Sequence, residues 1–376
     1  MKKIPPFKYY FPKDTTNWIT TKIQELIESG DYLTLGKYSE ELERQMANYV
    51  GSKHAIAVSN GTAALEIILR AIGVQDCDVI VPTNTFAATA FAVIHAGGTP
   101  VFADIASDLN MNPSEVPKRL TPKTKAVIPV HIGGLISSRI HELLELAREQ
   151  NFVVVEDCAH ALGSCLGGKK AGSFGLAGGF SFFSTKIITT GEGGMITTDS
   201  SEIAEKARLL RDQGKVRGNE VGVIGYNWRF TEFQSIVGIA QLALVEEIIE
   251  KRNIVAKIYD EFVEEIPEVE SLKIPSTVRH NFYKYILLLG KGRDPEMLRK
   301  HLKDKYGIGL GGYVYEAPLH RQHVFRRYVD DIDSFPVADD LCARHISLPV
   351  YPQMTSEEAR YVVRCLKCAI QDLGWT

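Results

Sequence analysis

The stretch RIHELLELAREQNFVVVED, residues 139–157, joins a charged amphipathic segment to a short apolar run. Apolar residues at helical spacing predict a helix over 139–150, and the run that begins FVVV predicts a buried strand over 152–156. The same alternation of helices and short apolar strands extends from about residue 39 to residue 211. Such strands between helices indicate a largely parallel sheet covered on both faces, so the predicted fold class is α/β.

Outward from this stretch, the same patterns predict further elements on both sides. The other predicted strands are 54–58, 79–82, 101–104, 126–130, 179–183 and 195–198. The other predicted helices are 39–50, 62–71, 87–95 and 201–211. The first 16 residues are rich in proline and aromatic side chains and are expected to form an extended arm. A long helical pattern from Thr231 to about Glu265 is predicted to break near Arg252.

After residue 267 the rhythm of the sequence changes. A predicted strand at 282–289 lies between this point and two predicted helices, 295–305 and 357–373, which indicates a smaller α+β domain. We therefore predict an N-terminal arm and large domain over residues 1–250 and a small C-terminal domain over residues 251–376.

The composition is that of an ordinary globular protein. Hydrophobic residues make up 45% and charged residues 24% of the 376 residues, which argues against disorder. The 43 lysines and arginines do not exceed the 46 acidic residues, so the sequence has no basic excess with which to bind nucleic acid.

Cysteine usage and apolar runs argue against four further classes of protein. Six cysteines are too few for a disulfide scaffold, and the pair Cys365 and Cys368 lies in a helical pattern without a second ligand pair, so we expect no metal. The start MKKIPP lacks the apolar core of a signal peptide, and the apolar stretch 86–96 is shorter than the roughly 20 residues that span a bilayer. We expect a cytoplasmic protein without a membrane partner.

The sequence SNGTAAL, residues 59–65, follows a predicted strand and opens a helix. The free N–H groups and the positive end of a helix bind anions at such a place. The alternative is an ordinary helix cap by Asn60 or Thr62. Neither GxGxxG nor a Walker A pattern occurs, so a nicotinamide-dependent enzyme and an ATPase are not favoured.

Asp157 and His160 follow the predicted strand 152–156 in the sequence DCAHA. A carboxylate at the end of a buried strand is costly unless it meets a cation, such as the protonated ring nitrogen of a cofactor. His160 lies one helical turn further on and is positioned to touch the same ligand. The alternatives are a structural carboxylate or a helix cap for Asp157 and an ordinary packed histidine for His160.

Lys186 follows the predicted strand 179–183 and precedes a glycine-rich turn. Partial burial favours the uncharged, nucleophilic amine of a lysine. Gly191, Gly193 and Gly194 are expected to let the backbone pass close to a ligand. The alternative is a surface lysine on a hairpin.

Five motifs, taken in order, resemble the DegT/DnrJ/EryC1/StrS family of pyridoxal-phosphate sugar aminotransferases. They are NGTAAL at 60–65, PTNTF at 82–86, EDCAHA at 156–161, FSFFSTK at 180–186 with GEGG at 191–194, and GYNWR at 225–229. The resemblance covers roughly residues 25–350. It implies fold type I, with a large, mostly parallel seven-stranded sheet domain flanked by helices and a smaller C-terminal α+β domain.

The resemblance implies that four residues surround the cofactor ring. Lys186 matches the lysine that is joined covalently to the aldehyde of pyridoxal 5'-phosphate, and Asp157 matches the carboxylate that pairs with the ring nitrogen. Phe86 matches the aromatic residue that stacks on the ring. His160 stands where many members carry glutamine beside the ring hydroxyl, which is a departure from the family pattern.

A second set of matching residues is implied to hold the phosphate. Gly61, Thr62 and Ala63 match the phosphate-binding turn, and Ser181 matches a phosphate-binding hydroxyl. Asn227 matches an asparagine that reaches the phosphate from the neighbouring subunit of a homodimer with shared active sites.

The implied reaction moves an amino group from glutamate or glutamine to a nucleotide-linked keto-sugar, as in amino-sugar biosynthesis, through the pyridoxamine phosphate form of the cofactor. Lys186 would then also carry the proton between the donor Cα and the cofactor. Arg229 is our candidate for the donor carboxylate, with a surface arginine or a structural ion pair as the alternatives. Tyr313 and His320, in a segment that resembles the family's substrate loop, are candidates for the sugar nucleotide, with loop packing as the alternative.

Two other functions remain on the same fold. Some relatives are sugar dehydratases in which a histidine replaces the lysine, and the presence of Lys186 argues for transamination instead. A non-catalytic regulatory protein is the second alternative, and against it every cofactor position carries a chemically suitable residue.

Overall fold

The computed structural model describes residues 3–313, 315–330 and 334–375. The strands are β1 His54–Val58, β2 Asp78–Pro82, β3 Thr99–Ala103, β4 Thr124–Val127, β5 Val153–Asp157, β6 Cys165–Leu166, β7 Lys169–Lys170, β8 Ala177–Ser181, β9 Gly194–Thr198, β10 Lys215–Arg217, β11 Glu220–Val221, β12 Val269–Ser271, β13 Val278–Arg279, β14 Tyr285–Leu289 and β15 His345–Leu348. The helices are α1 Lys13–Ser29, α2 Lys37–Val50, α3 Gly61–Ile72, α4 Ala87–His95, α5 Val116–Arg119, α6 Ile140–Gln150, α7 Ser201–Arg211, α8 Glu232–Leu242, α9 Val245–Val263, α10 Pro295–Tyr306, α11 Pro336–Arg344 and α12 Ser356–Asp372.

A seven-stranded sheet has the strand order β1-β9-β8-β5-β4-β2-β3. β9 runs antiparallel to its neighbours β1 and β8, and the other adjacent pairs are parallel. Helices connect most of the parallel strands, as crossover connections require. The predicted α/β class with a mostly parallel seven-stranded sheet is confirmed.

The two faces of this sheet bury separate apolar layers. In β1, Ile56 and Val58 pack with residues of α3, α4 and α7, whereas Ala55 and Ala57 pack with residues of α2, α6 and α8. Successive residues of a strand point to opposite faces, so a strand covered on both sides must be apolar throughout. This is why the strands of this sheet could be recognised as short apolar runs.

A smaller antiparallel sheet, β12-β14-β15, lies in the C-terminal part of the chain. Its apolar residues, such as Leu287 of β14, form a core with α9, α10 and α12. Ile4 belongs to the same core, and it pairs with Ile308 in an isolated bridge. Helix α9 runs across residue 250, and the division into residues 1–250 and 251–376 stays a prediction.

Two predicted features are wrong in detail. The extended arm ends before Lys13, where α1 begins, and α1 packs Ile19 and Leu26 against α8. The long helical pattern breaks between Leu242 and Val245, whereas Arg252 lies buried inside α9. Within the described parts of the chain, no helix combines the length and the apolar character needed to cross a membrane.

Candidate active site

The polar residues that follow the strands meet at one edge of the large sheet. The strand register places Asp157 beside Gly179 in β8, and Ser181 beside Gly194 in β9. This edge borders a cavity of about 920 Å³. The predicted site residues that line it are Gly61, Thr62, Ala63, Phe86, Asp157, His160, Ser181, Lys186 and Tyr313.

The first turn of α3 forms one end of the cavity. Asn60 caps the helix, because its Oδ1 accepts a hydrogen bond from the N–H of Ala63 at 2.8 Å. The N–H groups of Gly61 and Thr62 precede this bond and have no acceptor within the helix. A Cβ at Gly61 would lie 2.9 Å from Cβ of Ser181, so glycine lets the turn approach the end of β8. The N–H groups and the two hydroxyls of Thr62 and Ser181 are suited to bind an anion.

Asp157 ends β5 and is 6% exposed. Its Oδ2 accepts a hydrogen bond from Thr89 Oγ1 at 2.7 Å, and its Oδ1 accepts one from the N–H of Ala159 at 3.1 Å. Burial raises the pKa of this carboxyl, and the two hydrogen bonds and the charge of Lys186 oppose the rise. Within the described residues Asp157 forms no ion pair, so it is suited to pair with a cationic ring nitrogen.

Lys186 lies between β8 and β9, with its Nζ 5.1 Å from the centroid of the Tyr283 ring. Tyr283 is held by a 3.2 Å hydrogen bond between its hydroxyl and Thr185 Oγ1, and its N–H donates to Asn281 Oδ1. Burial would raise the pKa of Tyr283, but the ammonium groups of Lys186 and Lys284 outweigh it and the pKa is lowered. In the described part of the chain Lys186 has no carboxylate partner, which leaves its amine available for covalent chemistry.

Aromatic rings form the wall of the cavity beside these groups. Phe86 immediately precedes α4 and is 62% exposed, and its ring lies 6.2 Å from that of Tyr315. The ring of His160 stacks on Tyr283 at 4.4 Å, and its Nε2 lies 3.3 Å from the Tyr315 hydroxyl. Burial holds the pKa of His160 well below its usual range, so the imidazole is neutral. Its buried Nδ1 has no hydrogen-bond partner among the described residues, so it can bind a ligand hydroxyl.

Two glycines of the glycine-rich turn pack closely against other parts of the protein. A Cβ at Gly194 would lie 2.4 Å from the backbone of Asn60, and a Cβ at Gly193 would lie 2.7 Å from the ring of Phe230. Gly191 has a φ of +83°. Gly194 therefore lets β9 approach the residues before α3, and the expectation that these glycines admit a ligand stays a prediction.

Three predicted residues do not line the cavity of this chain. Arg229 forms an ion pair with Asp212 at 2.7 Å. Asn227 is exposed, and its backbone forms an isolated antiparallel β-bridge with Asp212. His320 is buried against Thr83, with its Nδ1 2.6 Å from Thr83 Oγ1, and its Nε2 lies 2.9 Å from Asp339. The substrate roles of Arg229 and His320 stay predictions without support from contacts within one chain.

Further residues that line the cavity were not predicted as site residues from the sequence. Among them are Glu66, Glu192, Tyr283, Lys284 and Tyr315. Tyr283 and Lys284 fall within the predicted strand 282–289, but β14 begins only at Tyr285. The backbone turns at Phe282 with a φ of +48°, which few non-glycine residues adopt. The one available signal was a lysine at the start of an apolar run, NFYKYILLL.

The donor set suits four separate groups of pyridoxal phosphate. Free N–H groups and hydroxyls at the start of α3 suit a phosphate, and Lys186 suits an aldehyde. The unpaired buried carboxylate of Asp157 suits a ring nitrogen, and the orphaned Nδ1 of His160 suits the neighbouring ring hydroxyl.

Comparisons with known proteins agree with this geometry. GDP-perosamine synthase of Caulobacter vibrioides is 36% identical over 338 residues, which cover 89% of this chain and 90% of that protein. The structure of Helicobacter pylori PseC, an aminotransferase of pseudaminic acid biosynthesis, superposes with a TM-score of 0.91 at 26% identity and covers 99% of this chain and all of PseC. Spr1654 from Streptococcus pneumoniae in its PLP form gives a TM-score of 0.88 at 26% identity and covers 99% of both chains. The model of one family matches residues 13–367, and the chain belongs to that family, the DegT/DnrJ/EryC1/StrS aminotransferases.

Proposed function

We propose that the chain is a pyridoxal-phosphate-dependent aminotransferase that moves an amino group from glutamate or glutamine to a nucleotide-linked keto-sugar. The proposal rests on one observation: Lys186, Asp157 and the start of α3 open into a single cavity of about 920 Å³. That volume exceeds what the cofactor alone needs, which leaves room for a substrate. The similarity to GDP-perosamine synthase supports a nucleotide-linked sugar as the acceptor. The reaction would serve the synthesis of amino sugars for a surface polysaccharide or a natural product.

The residues of the cavity would hold each part of the cofactor. Gly61, Thr62 and Ser181 bind the phosphate, and Phe86 packs on the ring. Asp157 keeps the ring nitrogen protonated, because a buried carboxylate stabilises the cation that it faces. Pyridoxal phosphate supplies an aldehyde that takes up the amine and a ring that accepts electrons from the substrate.

Lys186 performs two tasks in this proposal. Its amine would hold the aldehyde of the cofactor covalently. The same amine would also serve as the base that accepts the proton of the donor Cα and as the acid that gives it back. The surrounding rings of Phe86, Tyr283 and Tyr315 limit the access of water to this proton transfer.

We further propose a homodimer with shared active sites. Asn227 is exposed and does not line the cavity of its own chain, yet its neighbour Trp228 does. The preceding residues Val223 and Ile224 are 43% and 87% exposed. An exposed apolar segment next to the site is suited to a second copy, so that Asn227 of the partner subunit reaches the phosphate.

The experiment that tests the function is absorbance spectroscopy of the cofactor-loaded protein. A covalently bound cofactor should give a band near the visible edge that disappears on addition of glutamate or glutamine and returns on addition of a suitable nucleotide-linked keto-sugar. A panel of such sugars, assayed directly for amine transfer, identifies the acceptor. Cofactor binding without any response to amino donors would contradict the proposal and favour a regulatory role.

A further inference from the structure

Lys284 is a second lysine in the cavity, on the segment that leads into β14. Its Nζ lies 5.3 Å from the centroid of the Tyr283 ring, and Nζ of Lys186 lies 5.1 Å from the same centroid. The Tyr283 ring therefore lies beside both ammonium groups, which places the two lysines at the same part of the cavity wall. Both lysines line the cavity.

The charge of Lys284 has no carboxylate partner among the residues that the structure describes. Its Nζ donates one hydrogen bond, to the carbonyl oxygen of Gly312 at 3.1 Å, and an ammonium has three donors. The carboxylates that line the cavity belong to Glu66, Asp157, Glu192 and Glu316, and within the described residues none of them forms an ion pair with Lys284. The ammonium group of Lys284 therefore has further N–H groups that can donate hydrogen bonds to a bound anion.

The electrostatic setting favours such an anion. Burial lowers the pKa of Lys284. The positive charges of Lys186, Arg252 and Arg299 also lower it, whereas the interaction with Tyr283 raises it. Because these positive groups repel one another, a negative ligand between them would relieve the repulsion and favour the charged form of Lys284.

Two other cationic side chains, Arg229 and Lys186, have other interactions or roles. Arg229 is paired with Asp212 at 2.7 Å, and no arginine is among the described residues that line the cavity. Lys186 is reserved for the covalent chemistry of the proposed function. Of the two lysines that line the cavity, Lys284 is therefore the one available to bind an anionic substrate.

We propose that Lys284 binds the carboxylate of the amino donor and so holds the donor amine towards Lys186. The inference rests on the proposed function, and it assigns to Lys284 the role that the sequence analysis gave to Arg229. The same ammonium chemistry suits the diphosphate of a nucleotide-linked sugar, and the experiment separates the two sources.

The test uses the cofactor-loaded protein and two ligands that do not react with the cofactor, glutarate and a nucleoside diphosphate. Their dissociation constants are measured by calorimetry for wild type, Lys284→Met and Lys284→Arg. Lys291→Met is the matched control, because this exposed lysine lies beyond the other end of β14. Cofactor content and thermal unfolding verify that each variant is folded and loaded.

We expect Lys284→Met to weaken glutarate binding roughly tenfold to a hundredfold, as the loss of a hydrogen bond to a charged group implies. Lys284→Arg should retain part of the affinity, and Lys291→Met should behave as wild type. The glutamate concentration that gives half of the absorbance change should rise by a similar factor in Lys284→Met.

Two results would overturn the inference. One is an unchanged response of Lys284→Met to both glutarate and glutamate, and the other is a loss of affinity confined to the nucleoside diphosphate. Arg229→Gln is measured alongside, and a loss of donor affinity there with none at Lys284 would also return the role to Arg229. A wild-type protein that binds glutarate but shows no absorbance change with any donor would instead contradict the proposed function.

Discussion

Thr89 Oγ1 lies 2.7 Å from Oδ2 of Asp157, and Thr85 Oγ1 lies 2.7 Å from Thr89 Oγ1. All three side chains are buried. An ionised carboxylate can only accept, so Thr89 must donate to Asp157 and Thr85 must donate to Thr89. This directed chain of hydrogen bonds links the residues before α4 to the end of β5 and fixes the carboxylate at the edge of the cavity.

Thr89→Val removes the donor to Asp157 without changing the shape of the side chain. The hydrogen bond from Thr89 lowers the pKa of Asp157, so its loss should raise that pKa and weaken the charge that faces the cofactor ring. We expect about a tenfold loss of pyridoxal phosphate affinity, measured by titration of the cofactor-free protein. Thr89→Ser keeps the hydroxyl and should bind as wild type, whereas equal affinity of the valine variant would show that the hydrogen bond does not matter.

Lys186→Ala should abolish amine transfer and leave the fold intact, because the side chain forms no ion pair among the described residues whose loss would destabilise the protein. Borohydride reduction of the loaded wild type should fix the cofactor mass on the peptide that contains Lys186, and the variant should carry none. Thermal unfolding of the two cofactor-free proteins provides the control. Amine transfer at the wild-type rate by the variant would place the chemistry elsewhere.

The strands of the large sheet were predictable because their signal is local. β1 and α4 have the predicted bounds, since a strand buried on both faces must be apolar and a change to polar residues marks its end. Residues that follow parallel strands share one edge of the sheet, and so Gly61, Asp157 and Lys186 could be placed together before any coordinates. The direction of β9 carries no such local signal.

The parts that could not be predicted depend on contacts between distant segments. Arg252 interrupts an apolar pattern and was interpreted as a helix break, but its guanidinium is buried and donates to the carbonyl oxygens of Phe282 and Val350 at 2.9 Å. Tyr283 and Lys284 reach the cavity because the chain turns at Phe282, whose carbonyl Arg252 holds. No spacing of residues along the sequence encodes these pairings.

Arg252→Met should destabilise the protein, because it leaves two buried carbonyl oxygens without their donor. Burial already lowers the pKa of this guanidinium to about 10, yet the hydrogen bonds hold it in place. We expect a loss of about 2–3 kcal/mol in the free energy of unfolding, measured from denaturant midpoints. Arg360→Met changes an exposed arginine of α12 and serves as the control, and an equal effect of the two substitutions would refute the structural role of Arg252.

Asp157→Asn should stabilise the cofactor-free protein while it weakens cofactor binding. Burial raises the pKa of this carboxyl above its ordinary value of 3.8, so its ionisation costs stability above the raised pKa and costs none below 3.8. We expect a gain of about 1 kcal/mol at neutral pH that shrinks as the pH falls towards 3.8, measured by thermal unfolding across a pH series. Asp199→Asn, at an exposed site after β9, should show no such gain. A gain that grows on acidification would contradict the assigned shift.

Asn227→Ala tests whether two chains share each site. If Asn227 acts on the partner subunit, Asn227→Ala and Lys186→Ala homodimers are each deficient at both sites. A mixed dimer then carries both lesions in one site and none in the other. Equal mixing with free exchange of subunits should restore about a quarter of the wild-type sites in the mixture, measured as amine transfer with the fraction of mixed dimer quantified. Mixed dimers that form but recover no activity would show that Asn227 acts within its own chain, which its exposed position outside the cavity argues against.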